Sequence, residues 1–238
     1  MAALSLGKYM KYELVLFDAD GTLFDFDKAS EEALKKALQL FNIDKWNVDT
    51  WRIYKKINKQ IWDEFELKQI SAAELKPERF RRFFSAISVT EVAPKEFSDK
   101  YLLFLSQGTY LIDGAEELVE WCYDKFKLGI ITNGLTSVQK PRFYQSVLHK
   151  YFEHYIISEE IGFAKPQPEI FDYSFEKFRH TDKNSAIIIG DNLTSDIKGG
   201  IDYGIDTCWF NTFGASENSI IPTYKIDNLA KLKNILLG

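Results

Sequence analysis

The sequence predicts an α/β fold, a doubly wound parallel sheet interrupted after its first strand by an all-helical insertion. Three observations carry this. Residues 12–17 form a short, apolar, nearly uncharged run, as expected of a strand buried on both faces. Residues 28–105 then show helical periodicity with no strand signal, which reads as an insertion with its own small core. From Asp113 onward strand and helix patterns alternate, the signature of a parallel sheet with helices on both faces.

In chain order, apolar residues at three- and four-residue spacing predict helices over 28–41, 48–65, 72–87 and 94–105, with Pro77 and Pro94 marking breaks or first turns. The aromatics here, among them Trp46, Trp51, Tyr54, Trp62, Phe65, Phe80, Phe83 and Phe84, are expected mostly to form that insertion's core. Beyond it the pattern predicts helix 115–126, strand 128–131, helix 136–148, strand 155–157, helix 169–178, strand 186–189, helix 193–203 and strand 207–210. An edge strand over 224–226 and a closing helix over 229–237 complete the chain. The expected division is a core of residues 1–24 and 108–238 and a helical domain of residues 25–107.

Composition narrows the function classes. Hydrophobic residues at 45% and charged residues at 27% of 238 fit an ordinary soluble globular protein. A net charge of −5, with both signs interspersed, offers no footprint for a nucleic-acid polymer. Cys122 and Cys208 lie in apolar segments without metal-site or redox spacing, so reduced buried thiols are expected. The start, MAALSLGKYMK, has too short an apolar core for a signal peptide, and no run reaches membrane-spanning length. A cytoplasmic protein, monomeric or homodimeric and with no membrane partner, is the expectation.

The chemistry gathers at strand ends. The first strand stops at Asp18-Ala19-Asp20-Gly21-Thr22, and two carboxylates this close raise each other's pKa unless a cation relieves them. An Asp-rich turn would also read this way. Later strands are followed by Thr132-Asn133, Lys165-Pro166 and Gly190-Asp191, with Asp196 five positions on. Each has a plain alternative: Thr132 as a helix cap, Lys165 as a surface lysine, Asp191 and Asp196 as caps or first-turn residues. At the carboxyl ends of parallel strands, where such sheets bind ligands, these groups would meet above the sheet. The three histidines lack metal spacing and receive no role.

The series Asp-x-Asp-Gly-Thr, strand-end Thr, Lys-Pro and Gly-Asp with a second Asp resembles motifs I to IV of the haloacid dehalogenase superfamily, over almost the whole chain. The resemblance implies a Rossmann-like core with a helical cap and Mg²⁺-dependent phosphate-ester chemistry. It makes Asp18 the nucleophile that forms an aspartyl-phosphate and Asp20 the general acid and base. It assigns Thr132, the backbone N–H of Asn133, and Lys165 to the phosphate oxygens. Mg²⁺ would be held by Asp18, the backbone carbonyl of Asp20, and Asp191, with Asp196 holding a metal-bound water or orienting Lys165. Asp20 disfavours a dehalogenase, which needs no acid there. The stretches FDADGTLFDFD, ISEEIGFAKPQPEIFDY and GDNLTSDIKGGIDYGIDTCWFN further resemble bacterial pyrimidine 5′-nucleotidases. A small phosphorylated metabolite, a nucleoside monophosphate, is then the expected substrate. The alternatives are a phosphoglycolate or sugar-phosphate phosphatase, a β-phosphoglucomutase-like isomerase, or a non-enzymatic phosphate-binding module. Tyr54, Asn58 and Trp62, four apart on one helix face, could read and stack on a pyrimidine, or could simply be structural.

Overall fold

The structure is a computed structural model that describes residues 10–212, 214 and 219–238; the beginning of the chain discussed above, residues 1–9, lies outside the described residues. Its elements run β1 (Leu14–Phe17), α1 (Phe26–Leu40), α2 (Val48–Glu66), α3 (Ala72–Ile87), α4 (Pro94–Leu105), α5 (Ala115–Cys122) and β2 (Lys127–Thr132). There follow α6 (Thr136–Gln145), β3 (His154–Ile157), α7 (Ser158–Ile161), α8 (Pro168–Lys177), β4 (Ala186–Gly190), α9 (Lys198–Tyr203), β5 (Asp206–Phe210), β6 (Tyr224–Ile226) and α10 (Leu232–Leu237). Contacts divide the chain into two compact units, one of Met1–Phe26 with Thr109–Gly238 and one of Asp27–Gly108.

In the first unit six strands form one sheet in the order β3-β2-β1-β4-β5-β6, every neighbouring pair parallel. The chain winds outward from β1 through β2 to β3, then recrosses to β4 and continues to β6. The winding reverses at β1, and the carboxyl ends there open a crevice for ligands. Strand periodicity sorts the side chains. Val15, Phe17, Leu128, Ile130, Ile187 and Ile189 pack with residues of α5, α6 and α10, whereas Leu14, Leu16, Ile131 and Ile188 pack with residues of α8 and α9. All four β1 side chains are fully buried, each contributing roughly 1.5–3 kcal/mol by leaving water. A central strand secured on both faces makes its end a fixed platform.

Element ends differ from the sequence reading for local reasons. Tyr12 leaves the strand, and its hydroxyl donates to Asp206 at 2.6 Å. The helix expected over 115–126 stops at Cys122, and Asp124 turns through a left-handed φ of 63° before β2. The helix expected over 136–148 ends at Gln145, with a 3-10 turn Val147–Tyr151 following. The helix expected over 193–203 divides into a π turn, Leu193–Ile197, and α9. Residues Leu229–Lys231 form a 3-10 turn before α10.

The second unit consists of helices. A capping box between Ser71 and Glu74 starts α3, which continues past Pro77. An internal proline costs about 3 kcal/mol, and here the buried side chains Phe80, Phe83 and Phe84 beyond it offset that loss. Pro94 does take the first helical position of α4. The core is aromatic: the Phe80 ring lies 5.9 Å from Tyr54, 4.9 Å from Phe97 and 5.0 Å from Tyr101. Tyr54 is wholly buried in this core, so it is a packing residue; Asn58 and Trp62 are partly exposed. Among the described residues no helix is long and apolar enough to cross a membrane. Phe80→Ala is expected to destabilise this unit by about 3–5 kcal/mol. Urea unfolding followed by tryptophan fluorescence measures this, and a loss below about 1 kcal/mol would contradict the packing described.

Candidate active site

β1 delivers Asp18 to the sheet end, its N–H still donating to Ile189 of β4 at 2.8 Å. The chain then coils: the Ala19 carbonyl accepts from Leu23 at 3.0 Å and from Phe24 at 2.8 Å. Gly21 closes the coil at φ 85°, and a Cβ there would collide with the Asp191 carboxylate. Glycine thus serves twice, for the left-handed turn and for the close approach.

Lys165 is 2% exposed, and its ammonium reaches three strand ends. Nζ donates to Asp18 Oδ1 at 2.5 Å and to the Ile131 carbonyl of β2 at 2.7 Å. It also pairs with Asp196 Oδ1 at 2.7 Å. Burial works against this charge, and Asp18 and Asp196 outweigh it, holding the lysine pKa above its ordinary value. The segment that carries Lys165 is clamped by the Asn133 side chain. Oδ1 accepts from the Lys165 N–H and Nδ2 donates to the Lys165 carbonyl, each at 2.8 Å.

After β4, Gly190 leaves room for the Asp196 carboxylate, which a Cβ would overlap. The Asn192 side chain accepts from Thr194 and Ser195 N–H groups at 2.9 and 3.1 Å, while the Asn192 N–H donates to Asp196 Oδ2 at 3.0 Å. Trp209 of β5 donates to the Asp191 carbonyl at 2.8 Å. Asp18, Asp191 and Asp196 each place an oxygen within 4.8 Å of the others. Burial pushes the pKa of Asp18 well above the carboxylate range, Lys165 opposes it, and Asp196 and Asp191 add to the rise. Burial and then repulsion from Asp196 push Asp191 up to about 7. Three carboxylates around one ammonium leave an excess negative charge. A divalent cation with hard oxygen preference fits that excess and that donor set.

Asp20 turns elsewhere. Its Oδ1 accepts from Arg142 Nη1 at 2.6 Å and its Oδ2 from Gln139 Nε2 at 2.7 Å, both from α6. Gln139 also donates to Thr132 Oγ1 at 3.0 Å, and that oxygen accepts from the Gly134 N–H at 3.1 Å. The structure therefore brings Asp18, Thr132, Lys165, Asp191 and Asp196 to the ends of neighbouring strands, with Asp20 beside them and its carboxylate outside the acidic cluster. Sequence reasoning missed Gln139, Arg142 and the Asn133 side-chain clamp. The only signal for Gln139 and Arg142 was the i, i+3 spacing of two long polar residues in a helix following a strand-end Thr. His180 is buried against the Asp182 carbonyl, a structural contact.

The chain belongs to the haloacid dehalogenase-like hydrolases, whose family model matches residues 15–210. It is similar to the HAD-hydrolase YfnB of Bacillus subtilis, 38% identical over 95% of this chain and 96% of that protein. A crystal structure of YfnB bound to magnesium superposes with a TM-score of 0.89 at 37% identity, covering 95% of this chain and 99% of that one. The pyrimidine 5′-nucleotidase YjjG of Escherichia coli is 31% identical over 95% of this chain and 99% of its own length. The pyrimidine 5′-nucleotidase PynA of Streptococcus pneumoniae is 34% identical over 95% and 98%.

A carboxyl whose pKa is raised on folding binds its proton more tightly in the folded state, so stability falls as pH climbs from the ordinary value of 3.8 towards about 7. In chelator, Tm is expected to fall between about pH 5 and pH 7.5, and a divalent cation is expected to restore it most at the upper end. Thermal unfolding across that range, with and without the cation, checks this; a cation effect independent of pH would contradict it.

Proposed function

We propose that this hydrolase removes phosphate from nucleoside 5′-monophosphates, pyrimidine nucleotides foremost, with Mg²⁺ as its metal. The observation that carries the chemistry is Lys165 bonded to both Asp18 and Asp196, with Asp20 two residues beyond Asp18. The substrate class is supported by the two pyrimidine 5′-nucleotidases that align along nearly their entire lengths. Magnesium is supported by its presence in the YfnB structure and by the cluster of three carboxylates. The proposal includes the division into a catalytic core, residues 1–24 and 108–238, and an inserted cap, residues 25–107.

In this reading Asp18 attacks phosphorus, and the bond from phosphorus to the sugar oxygen breaks. Asp20 gives that departing oxygen its proton. Asp20 then takes a proton from the water that attacks the aspartyl-phosphate, which frees inorganic phosphate and restores the Asp18 carboxylate. Lys165, the Thr132 hydroxyl and the Asn133 N–H hold the nonbridging oxygens as charge shifts. The ion would be held by Asp18, the Asp20 carbonyl and Asp191, with Asp196 holding a metal-bound water or orienting Lys165. When bound, the ion offsets repulsion between the anionic nucleophile and the anionic phosphate.

The test is phosphate release from dUMP, dTMP, UMP, AMP, ribose 5-phosphate, phosphoglycolate and glucose phosphates, with Mg²⁺ and with chelator. Metal-dependent release is expected, fastest with pyrimidine nucleotides and abolished by Asp18→Asn. Lys165→Met is expected to lower kcat by about 10²–10³-fold. Equal rates with ribose 5-phosphate would remove the nucleotide assignment, and activity surviving Asp18→Asn would remove the nucleophile.

A further inference from the structure

We propose that Arg142 and Gln139 are positioning residues that aim the Asp20 carboxyl for its two proton transfers. The inference rests on the reading of Asp20 as acid and base, and adds residues that neither the motifs nor the relatives assign. Gln139 and Arg142 lie three apart on one face of α6, 119 and 122 residues from Asp20 in sequence. They close a ring. Arg142 Nη1 donates to Asp20 Oδ1 and, at 3.0 Å, to Gln139 Oε1, while Gln139 Nε2 donates to Asp20 Oδ2. Arg142 is 0% and Gln139 1% exposed, and the guanidinium lies 5.1 Å from the Phe24 ring centroid. The Asp20 side chain itself keeps 27% of its surface exposed.

A surface carboxylate samples several rotamers. Here each oxygen has its own donor, so the carboxyl plane and its torsion are both fixed. The guanidinium concentrates negative charge on Oδ1. The amide on Oδ2 takes one of its two lone pairs and leaves the other, which makes Oδ2 the oxygen that carries the transferable proton. Oδ2 gives that proton to the departing sugar oxygen in the first step and regains one from water in the second. The same Gln139 Nε2 holds Thr132 Oγ1, so the acid and a phosphate-oxygen donor keep a fixed separation. An ordinary helix-anchoring ion pair would need neither the shared amide nor two separate donors on one carboxylate.

Leaving-group dependence tests this, because an alkoxide leaving group needs the acid and 4-nitrophenolate does not. For dUMP, kcat/KM is expected to fall about 10²-fold in Arg142→Met and in Gln139→Leu, and for 4-nitrophenyl phosphate less than about 5-fold. Arg142→Lys and Gln139→Met, gentler changes in the same buried space, are expected to show the same selectivity, Arg142→Lys at smaller size. They serve where the larger truncation lowers Tm, and because methionine keeps the shape of glutamine without its N–H donor, Gln139→Met is expected to reach the full size of the Gln139→Leu effect. Asp20→Asn is the reference. If Asp20→Asn discriminates between the esters and the α6 variants slow both equally, the positioning proposal is overturned and the acid stands. If Asp20→Asn itself does not discriminate, or the wild type hydrolyses neither ester, the underlying reading and the proposal fall together.

Discussion

The site depends on one buried ammonium. An unpaired charge that deep in a protein is costly, and Lys165 is tolerated because all three of its protons find acceptors. Those acceptors are Asp18 at the end of β1, the Ile131 carbonyl on β2, and Asp196 in the turn after β4. The contact thus ties together the three neighbouring strands around the point where the sheet reverses its winding. It also sets the charge balance. With the lysine in place Asp18 has a partner, while the remaining carboxylate charge calls for a cation; without it, three crowded carboxylates would have no buried positive charge at all.

Much of this was legible because parallel strands announce themselves. Short apolar runs bounded by turn residues and alternating with helical patterns mark buried strands, and Asp18, Thr132 and Asp191 stand at the ends of such runs. Lys165 was legible only through its motif, since it stands well past β3. What stayed hidden depends on long-range folding. Gln139 and Arg142 sit in a helix whose pattern reads like any surface helix, and their partner lies 119 and 122 residues away. Pro77 misleads for a related reason. Its local signal says break, and tertiary packing of Phe80, Phe83 and Phe84 overrides it. Helix ends were misplaced where π and 3-10 turns intervene, because hydrophobic period does not distinguish them from α.

Asp18 and Asp20 differ by two positions and live in separate electrostatic neighbourhoods. A straight strand would point both the same way. The coil that follows β1, held by the Ala19 carbonyl, breaks that rule and hands Asp20 to α6. One carboxylate ends beside an ammonium and two acidic residues, the other beside a guanidinium and an amide. Two like groups can take different chemical roles only when their surroundings differ in this way. Gly21 makes it feasible, since any side chain there would displace Asp191.

The helical unit solves a comparable problem with different means. Arg79 is 1% exposed amid the aromatic core, and among the described residues its guanidinium makes one hydrogen bond, from Nη1 to Asn58 Oδ1 at 2.9 Å. Nε and Nη2 have no hydrogen-bond acceptor. The planar cation instead lies 5.0 Å from the Phe80 ring centroid and 4.9 Å from that of Tyr101. Ring faces carry partial negative charge, and a desolvated cation over them gains about 2 kcal/mol. That explains why the core is aromatic where an aliphatic one would pack as densely. Leucine could fill the space around Arg79, but it would leave the Nε and Nη2 side of the cation without an electrostatic partner. Asn58, partly exposed and free of the aromatic stack, orients that guanidinium, so its amide is engaged by the core of its own unit.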